Sequence, residues 1–517
     1  MKGPRRLLPA LFLLLPPAAA AEKVVIYHTS DVHGWYYSRP AEWDNNNPSR
    51  LIGGYAALSA RVKKEKHPVL LLDSGDMFQG TPEGTLTRGL ASVRLMNELG
   101  YAATVPGNHE YDYGEGPLQV MASSSAFPVL GANIYLKGSV GLSPHLKPYT
   151  IVERGGKKIA VLGLAGRHTA TSTLPQNVAH LDFRDEASEA ARWLTEIRRS
   201  SPAAVVLLIH LGLDERLSLK RVDISTWTFS AAPPGTLRVA RSAPGFDLVL
   251  GGHNHTALLR GYRDPVTGTV FGESGYGLSY TTRAELDFDD RTGELKSVEA
   301  ALVPLWTDET GEDPAILKLI DGFKADVERE MGRVLGRAAA DLPQDPGWLD
   351  SPIGNLLCDL TRAATGADIA LHNTKGIRAP LRKGEVRLRD LHQALPFENS
   401  IVTMRLYGSD LKRIMAANII HGRSFMQVSG LEVEFRAGDG PRPAALRLLR
   451  GGSEIKDGDD FLVATNSYLS GGGDHAAGFA AGRDVSDTMR PVRGVIEDAL
   501  ARRPLKAPAG GRIRRLK

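Results

Sequence analysis

The chain has 517 residues, of which 42% are hydrophobic and 24% charged, with 55 glycines, 31 prolines and one cysteine. That composition excludes a collagen, a coiled-coil rod and a wholly disordered chain. A lone cysteine excludes an intrachain disulfide and any zinc site built of several thiolates, and a net charge of only +4 gives no case for a nucleic-acid-binding protein.

The first elements in chain order are those of an export leader. Lys2, Arg5 and Arg6 open the chain, residues 7–15 are apolar, and residues 16–21 are proline and alanine. This is the pattern of a cleaved secretory signal, too short to span a bilayer. No cysteine stands at the cleavage site to carry a lipid. The mature chain is expected to be periplasmic or extracellular, with a net charge of +1 and no integral membrane segment.

Short β-branched or aliphatic runs follow at 24–27, 69–72, 159–162, 205–209 and 248–250, each ending in glycine or polar residues. They are expected to be buried strands. Helical patterns lie between them, as at Tyr55, Leu58 and Val62, and over 186–198. Alternation of strand and helix predicts an α/β domain with functional residues at strand ends. A helix is expected from Asp313, a good N-cap, with Pro314 in its first turn and Ile316, Ile320, Phe323, Val327 and Met331 on one face. Residues 336–347 are expected to be loose and to open a second α/β domain. Cys358, among apolar neighbours, is expected to be a buried, inert helix residue. Residues 501–517 hold seven basic and no acidic side chains, and are expected to form a solvated, partly disordered end.

Five motifs sit at or just past the expected strand ends: Asp31-Val32-His33, Gly75-Asp76, Gly107-Asn108-His109-Glu110, His210, and Gly252-His253-Asn254-His255. Imidazoles, carboxylates and an amide suit borderline and hard divalent ions. One carboxylate can bridge two such ions. In extended backbone, residues two apart share a face, so Asp31 and His33 are expected to point together, as are His253 and His255. His168 and the other histidines have no motif around them and are read as structural or exposed.

On these residues the chain resembles the calcineurin-like metallophosphoesterases, and within them the exported 5′-nucleotidase and UDP-sugar hydrolase family. Residues 75–82, Gly-Asp-Met-Phe-Gln-Gly-Thr-Pro, and 107–112, Gly-Asn-His-Glu-Tyr-Asp, are both family forms. The resemblance implies a four-layered α/β sandwich of two sheets flanked by helices over 22–310. A linker helix over 311–335 would follow, then a smaller α/β nucleotide-binding domain over 336–500. It implies two divalent ions, of manganese, zinc, iron or cobalt. Asp31, His33, Asp76 and His255 would hold one; Asp76, Asn108, His210 and His253 would hold the other. His109 and Asp112 match the family's catalytic pair. Asn373, Arg378, Phe397, Tyr468 and Asp474 match its substrate-binding residues, with the two rings flanking the base and Arg378 on phosphate.

Two ions would lower the pKa of a shared water and present hydroxide to phosphorus. His109 would then stabilise or protonate the departing ribose oxygen, with Asp112, one helical turn on, orienting its ring. The activity implied is removal of phosphate from nucleotides. Three departures leave alternatives open, of which Tyr468, standing where a phenylalanine is common, is mild. Thr374 and Lys375 replace two loop glycines, which puts side chains where backbone should approach the ligand. Trp348, Leu349 and Asp350 stand where an arginine for phosphate is common, and Lys375 is a candidate substitute. The alternatives are a phosphodiesterase acting on 2′,3′-cyclic nucleotides or UDP-sugars, a relative of the sulfur-oxidising thiosulfohydrolases, and a binding protein without turnover. Asp112 argues against the sulfur branch, and the complete ligand set argues against a binding protein.

Overall fold

The structure is a computed structural model. It describes residues 22–516 apart from 42, 45, 174–176, 345–348, 398 and 474–476. The expected leader, Trp348 and Asp474 lie outside the described residues. The chain divides into two compact units, Met1–Ile320 and Asp321–Lys517, with the division inside the helix Pro314–Met331.

The first unit is built on two sheets. One runs in the order Leu295–Pro304, Tyr280–Phe288, Lys23–Thr29, Val69–Asp73, Tyr101–Thr104. The other runs Tyr262–Arg263, Val270–Glu273, Leu248–Gly251, Ala204–His210, Lys157–Ala165, Tyr149–Arg154. All five runs expected to be strands are strands. They pair in parallel: 23–29 with 69–73, and 204–210 with both 157–165 and 248–251. Parallel strands covered on both faces read as continuous apolar runs, which is why they stood out.

The two sheets pack face to face. Val24, Ile26, Leu70 and Leu72 of one meet Val161, Val206, Leu208 and Leu250 of the other in one buried cluster. Leu162, Leu207, Ile209 and Val249 turn to the opposite face, against Ala190, Leu194 and Ile197 of the helix Glu186–Ile197 and Leu237 of Gly235–Ser242. Val25, Tyr27 and Leu71, on the far side of the first sheet, are also buried. The arrangement is the four-layered sandwich. Because the strands are parallel, their C-terminal ends lie together, and the loops that leave them carry the motifs.

The second unit has a five-stranded sheet in the order Met426–Ser429, Ile369–Asn373, Asp460–Asn466, Ser400–Tyr407, Arg483–Pro491. Ile353, Leu357 and Cys358 of Pro352–Thr365 and Ile496 of Val492–Arg502 cover one face. Leu411, Ile414 and Met415 of Gly408–Asn418 cover the other. Cys358 is buried as expected, and burial pushes its thiol well up from the ordinary range.

Two expectations fail in this unit. The stretch from 336 is not loose at its start: Val334–Ala338 is a strand paired antiparallel with Gly384–Arg387. Gly336 permits it, because a Cβ there would stand 2.5 Å from the Leu500 carbonyl oxygen. The basic end is not a loose tail either. Ile513–Leu516 is a strand paired in parallel with Glu432–Ala437. Its charges find acids far away in sequence. Arg512 donates to both carboxylate oxygens of Asp359, at 2.8 and 2.7 Å, and Arg514 to Glu432 at 3.0 Å. Burial alone would raise the Asp359 carboxyl, but hydrogen bonds from Arg512 and Ser429 hold it below the usual carboxylate range.

Arg512→Ala leaves that half-buried carboxylate without its fork. The expected loss is about 1–3 kcal/mol of unfolding free energy. It should appear as a lower denaturant midpoint at neutral pH. A group whose folded pKa is depressed stabilises above its unfolded pKa and stops doing so as pH falls through the folded value. The gap between wild type and variant should therefore shrink in acid. Equal midpoints at neutral pH would mean the pair contributes nothing.

Candidate active site

Asp31, His33, Asp76, His253 and His255 share an unexpected backbone. Their φ angles are 51°, 50°, 55°, 74° and 55°. They are five of the eleven described non-glycine residues with positive φ. The extended geometry expected of Asp31-x-His33 and His253-x-His255 is thus wrong; left-handed turns aim these side chains instead. Left-handed conformations of this kind cost energy and concentrate at functional sites.

Asp76 is the centre. Its Oδ2 lies 3.2 Å from His210 Nε2 and 3.9 Å from His33 Nε2, and its Oδ1 accepts from the His109 N–H at 2.9 Å. Burial would raise its carboxyl, but the imidazoles of His210, His109 and His33 hold it well below the ordinary value. Asp31 is fully buried, accepts twice from the His253 N–H, and lies 3.7 Å from His255 Nε2. Burial pushes Asp31 up to about 7.

The imidazoles are oriented from behind. His33 Nδ1 donates to the Gln79 carbonyl at 2.6 Å and His210 Nδ1 to the Ser74 carbonyl at 2.6 Å. In each ring Nε2 is then the nitrogen left facing the site, where an ion would take it in place of a proton. Burial lowers His33 to about 3 and His255 to about 4, so both stay neutral. His210 goes the other way: burial would lower it, but Asp76 raises it to about 9.

His33 Nε2 and His255 Nε2 are 3.1 Å apart. That spacing suits two nitrogens sharing one ion at bonds of ~2.0–2.1 Å. Asn108 Oδ1 lies 3.0 Å from His253 Nδ1. Overlapping groups of potential ligands form here: Asp31, His33 and His255; Asp31, Asp76 and His210; His33, Asp76 and His109; and His168, His210 and His253. The donor set fits two divalent ions sharing Asp76.

His109 Nδ1 meets Asp112 Oδ2 at 2.7 Å across a short turn. Burial would lower the ring, but Asp112 and Asp76 raise it to about 10. Gly107 must lack a side chain, since a Cβ there would stand 2.2 Å from Asp76 Oδ1.

Three contributors were not recognised from sequence. Glu110 is fully buried and accepts from the backbone N–H groups of Asp76, Met77 and Gly107, at 2.8, 2.9 and 2.7 Å. It ties the Asp76 loop to the Asn108 loop. Tyr276 stacks on His255 at 4.7 Å, and its hydroxyl accepts from Trp35 Nε1. His168, read as structural, belongs to one of the ligand groups. Its signal was position alone: it follows the apolar run of Lys157–Ala165 as the recognised motifs follow theirs.

The second unit places the other expected residues. Asn373 ends the strand Ile369–Asn373, and its Oδ1 accepts from Asn466 Nδ2 at 2.9 Å. Thr374 is tied into the second unit through its side chain. Its hydroxyl donates to the Ser424 carbonyl and accepts from Gln427 Nε2, whose partner oxygen accepts from the Ser351 N–H. Lys375 is exposed, 5.3 Å over the Phe425 ring. Arg378 is exposed, 5.4 Å over Phe397. Arg493 donates to the carbonyls of Leu395 and Phe397, fixing that loop. Phe397 and Tyr468 are 42% and 46% exposed.

A two-sheet sandwich with paired histidine–aspartate groups at its parallel strand ends is a metallophosphoesterase. Residues 24–257 match the calcineurin-like phosphoesterase family and 334–481 the 5′-nucleotidase C-terminal domain. The chain belongs to the 5′-nucleotidase family of metallophosphoesterases, and it is a metal-dependent phosphoric ester hydrolase. It is 26% identical to the protein UshA of Yersinia enterocolitica, over 87% of this chain and 86% of that one. It is 28% identical to the 5′-nucleotidase of Rattus norvegicus, over 91% and 87%. The crystal structure of a 5′-nucleotidase precursor from Thermus thermophilus superimposes with a TM-score of 0.67 at 25% identity, covering 96% of this chain and 99% of that one. Among the described residues, no helix is long and apolar enough to cross a membrane.

Proposed function

We propose that the protein is an exported 5′-nucleotidase that releases phosphate from nucleoside monophosphates. The observation that carries this reading is Asp76, shared between ligand groups and bonded to the backbone of His109, whose ring Asp112 holds at 2.7 Å. Asp31, His33, Asp76 and His255 would hold one ion; Asp76, Asn108, His210 and His253 would hold the other. When bound, the ions supply an activated water and Lewis-acid stabilisation of phosphate charge. His109 Nε2 gives its proton to the ribose oxygen as the phosphorus–oxygen bond breaks, while Nδ1–H stays on Asp112. The Asn108 amide steadies a non-bridging oxygen.

In the second unit, Phe397 and Tyr468 stack on the base, Asn373 and Asp474 hold the nucleoside, and Arg378 takes the phosphate. A single base–aromatic stack is worth ~1–3 kcal/mol. Phe397→Ala and Tyr468→Ala are each expected to raise KM for AMP by ~5–100-fold, with little change for p-nitrophenyl phosphate. Equal losses on both substrates would remove the rings from base recognition.

A second reading keeps the metal chemistry and changes the ester. The exposed Lys375 gives the loop a second cation, which suits a diphosphate such as UDP-glucose. The test is hydrolysis with manganese, read as inorganic phosphate from AMP, UMP and ATP, and as the monoester product or p-nitrophenol from UDP-glucose, 2′,3′-cyclic AMP and bis-p-nitrophenyl phosphate. Release from monophosphates supports the nucleotidase. Turnover of diesters alone supports the second reading.

A further inference from the structure

His168 leaves the strand Lys157–Ala165 at the same end as the recognised motifs. Its ring lies 3.7 Å from that of His253 at an interplanar angle of 31°, and 6.1 Å from that of His210. One nitrogen from each of the three rings falls within 4.8 Å of the others. Among the described residues, the buried His168 Nε2 has no hydrogen-bond partner. Gly166 makes room for the ring: a Cβ there would stand 2.1 Å from His168 Cε1 and 2.3 Å from Nδ1. A buried nitrogen without a partner is costly, and native structures retain one where something else occupies it.

We infer that His168 is a further nitrogen donor to the ion held by His210 and His253. This rests on the metal-centre reading above. Three imidazoles, one carboxylate and one amide oxygen then surround that ion. The neighbouring position has two carboxylates and two imidazoles. Imidazole suits zinc, cobalt and nickel, whereas magnesium and manganese prefer oxygen. The position beside His168 is therefore the more selective for zinc or cobalt, and its neighbour the more tolerant.

The competing explanation is that His168 only stacks on His253 and holds it still. Two variants separate the explanations. His168→Ala removes both ring and nitrogen; His168→Phe keeps a ring against His253 and removes the nitrogen. The full-length protein is titrated with zinc against a competing chelator, and with cobalt(II) followed by visible absorption. Both variants are expected to weaken one of the two zinc ions by ~10–100-fold or more. The other ion should keep its affinity, and the cobalt spectrum of the weakened position should change in both. Wild-type zinc affinity and spectrum in His168→Phe would overturn the inference. So would a wild-type protein that binds fewer than two ions. A wild type that binds two ions and releases no phosphate from nucleotides, with both variants still weakened, would sink the nucleotidase reading and leave His168 a ligand.

Discussion

Asp76→Asn is expected to cut phosphate release by ~10³-fold or more and to lower the metal content of the purified protein from two ions toward none. The substitution isolates charge from shape. Asparagine is among the residues that tolerate a left-handed backbone, so φ of 55° at this position is kept. The Oδ1 that accepts from the His109 N–H is also kept. What changes is the atom facing His210 Nε2 at 3.2 Å, which turns from an anionic acceptor into a neutral donor or oxygen. An amide cannot bridge two cations as a carboxylate does, so both positions weaken together. Metal per chain by plasma emission, beside the AMP assay, reads both halves of the claim. A variant that keeps two ions and a tenth of its activity would remove Asp76 from the bridge.

Most of the parts of this site that were legible share a property. Four of the strands that deliver a motif, Lys23–Thr29, Val69–Asp73, Ala204–His210 and Leu248–Gly251, are buried on both faces, so their apolar runs are unbroken, whereas Tyr101–Thr104 before Asn108 shows no such run. His210 is the last residue of such a strand, and Asp31, Asp76 and His253 stand in the loops just beyond such ends. What was not legible depends on contacts between segments far apart in sequence. Glu110 matters because three backbone N–H groups converge on it, and no spacing records that. His168 has no flanking glycine–aspartate or glycine–asparagine, so only the fold brings it to His253. The left-handed turns of Asp31 and His33 were mistaken for extended chain, because spacing alone does not report φ. The C-terminal strand was mistaken for a loose tail, because Asp359 lies 153 residues before its partner Arg512. The hydrogen bonds of the Thr374 hydroxyl to Ser424 and Gln427 likewise join positions some fifty residues apart.

His109→Ala is expected to lower kcat for AMP by ~10²–10⁴-fold, with KM and metal content close to wild type. The second half of that expectation carries the argument. His109 also falls in a ligand group with His33 and Asp76, and its ring lies 5.3 Å from that of His33. If it were a ligand, the variant would lose an ion, and kcat and metal would fall together. If it is the acid that protonates the leaving oxygen, the ions stay and the penalty depends on the leaving group. A ribose hydroxyl is a poor leaving group and needs the proton; p-nitrophenolate leaves without one. The loss on p-nitrophenyl phosphate should therefore be ~10-fold or less. Asp112→Asn should show the same pattern in milder form, because it loosens the ring that Oδ2 holds at 2.7 Å without removing the nitrogen. Equal losses on both substrates, with full metal, would assign His109 to steadying the phosphoryl group instead of to the departing oxygen.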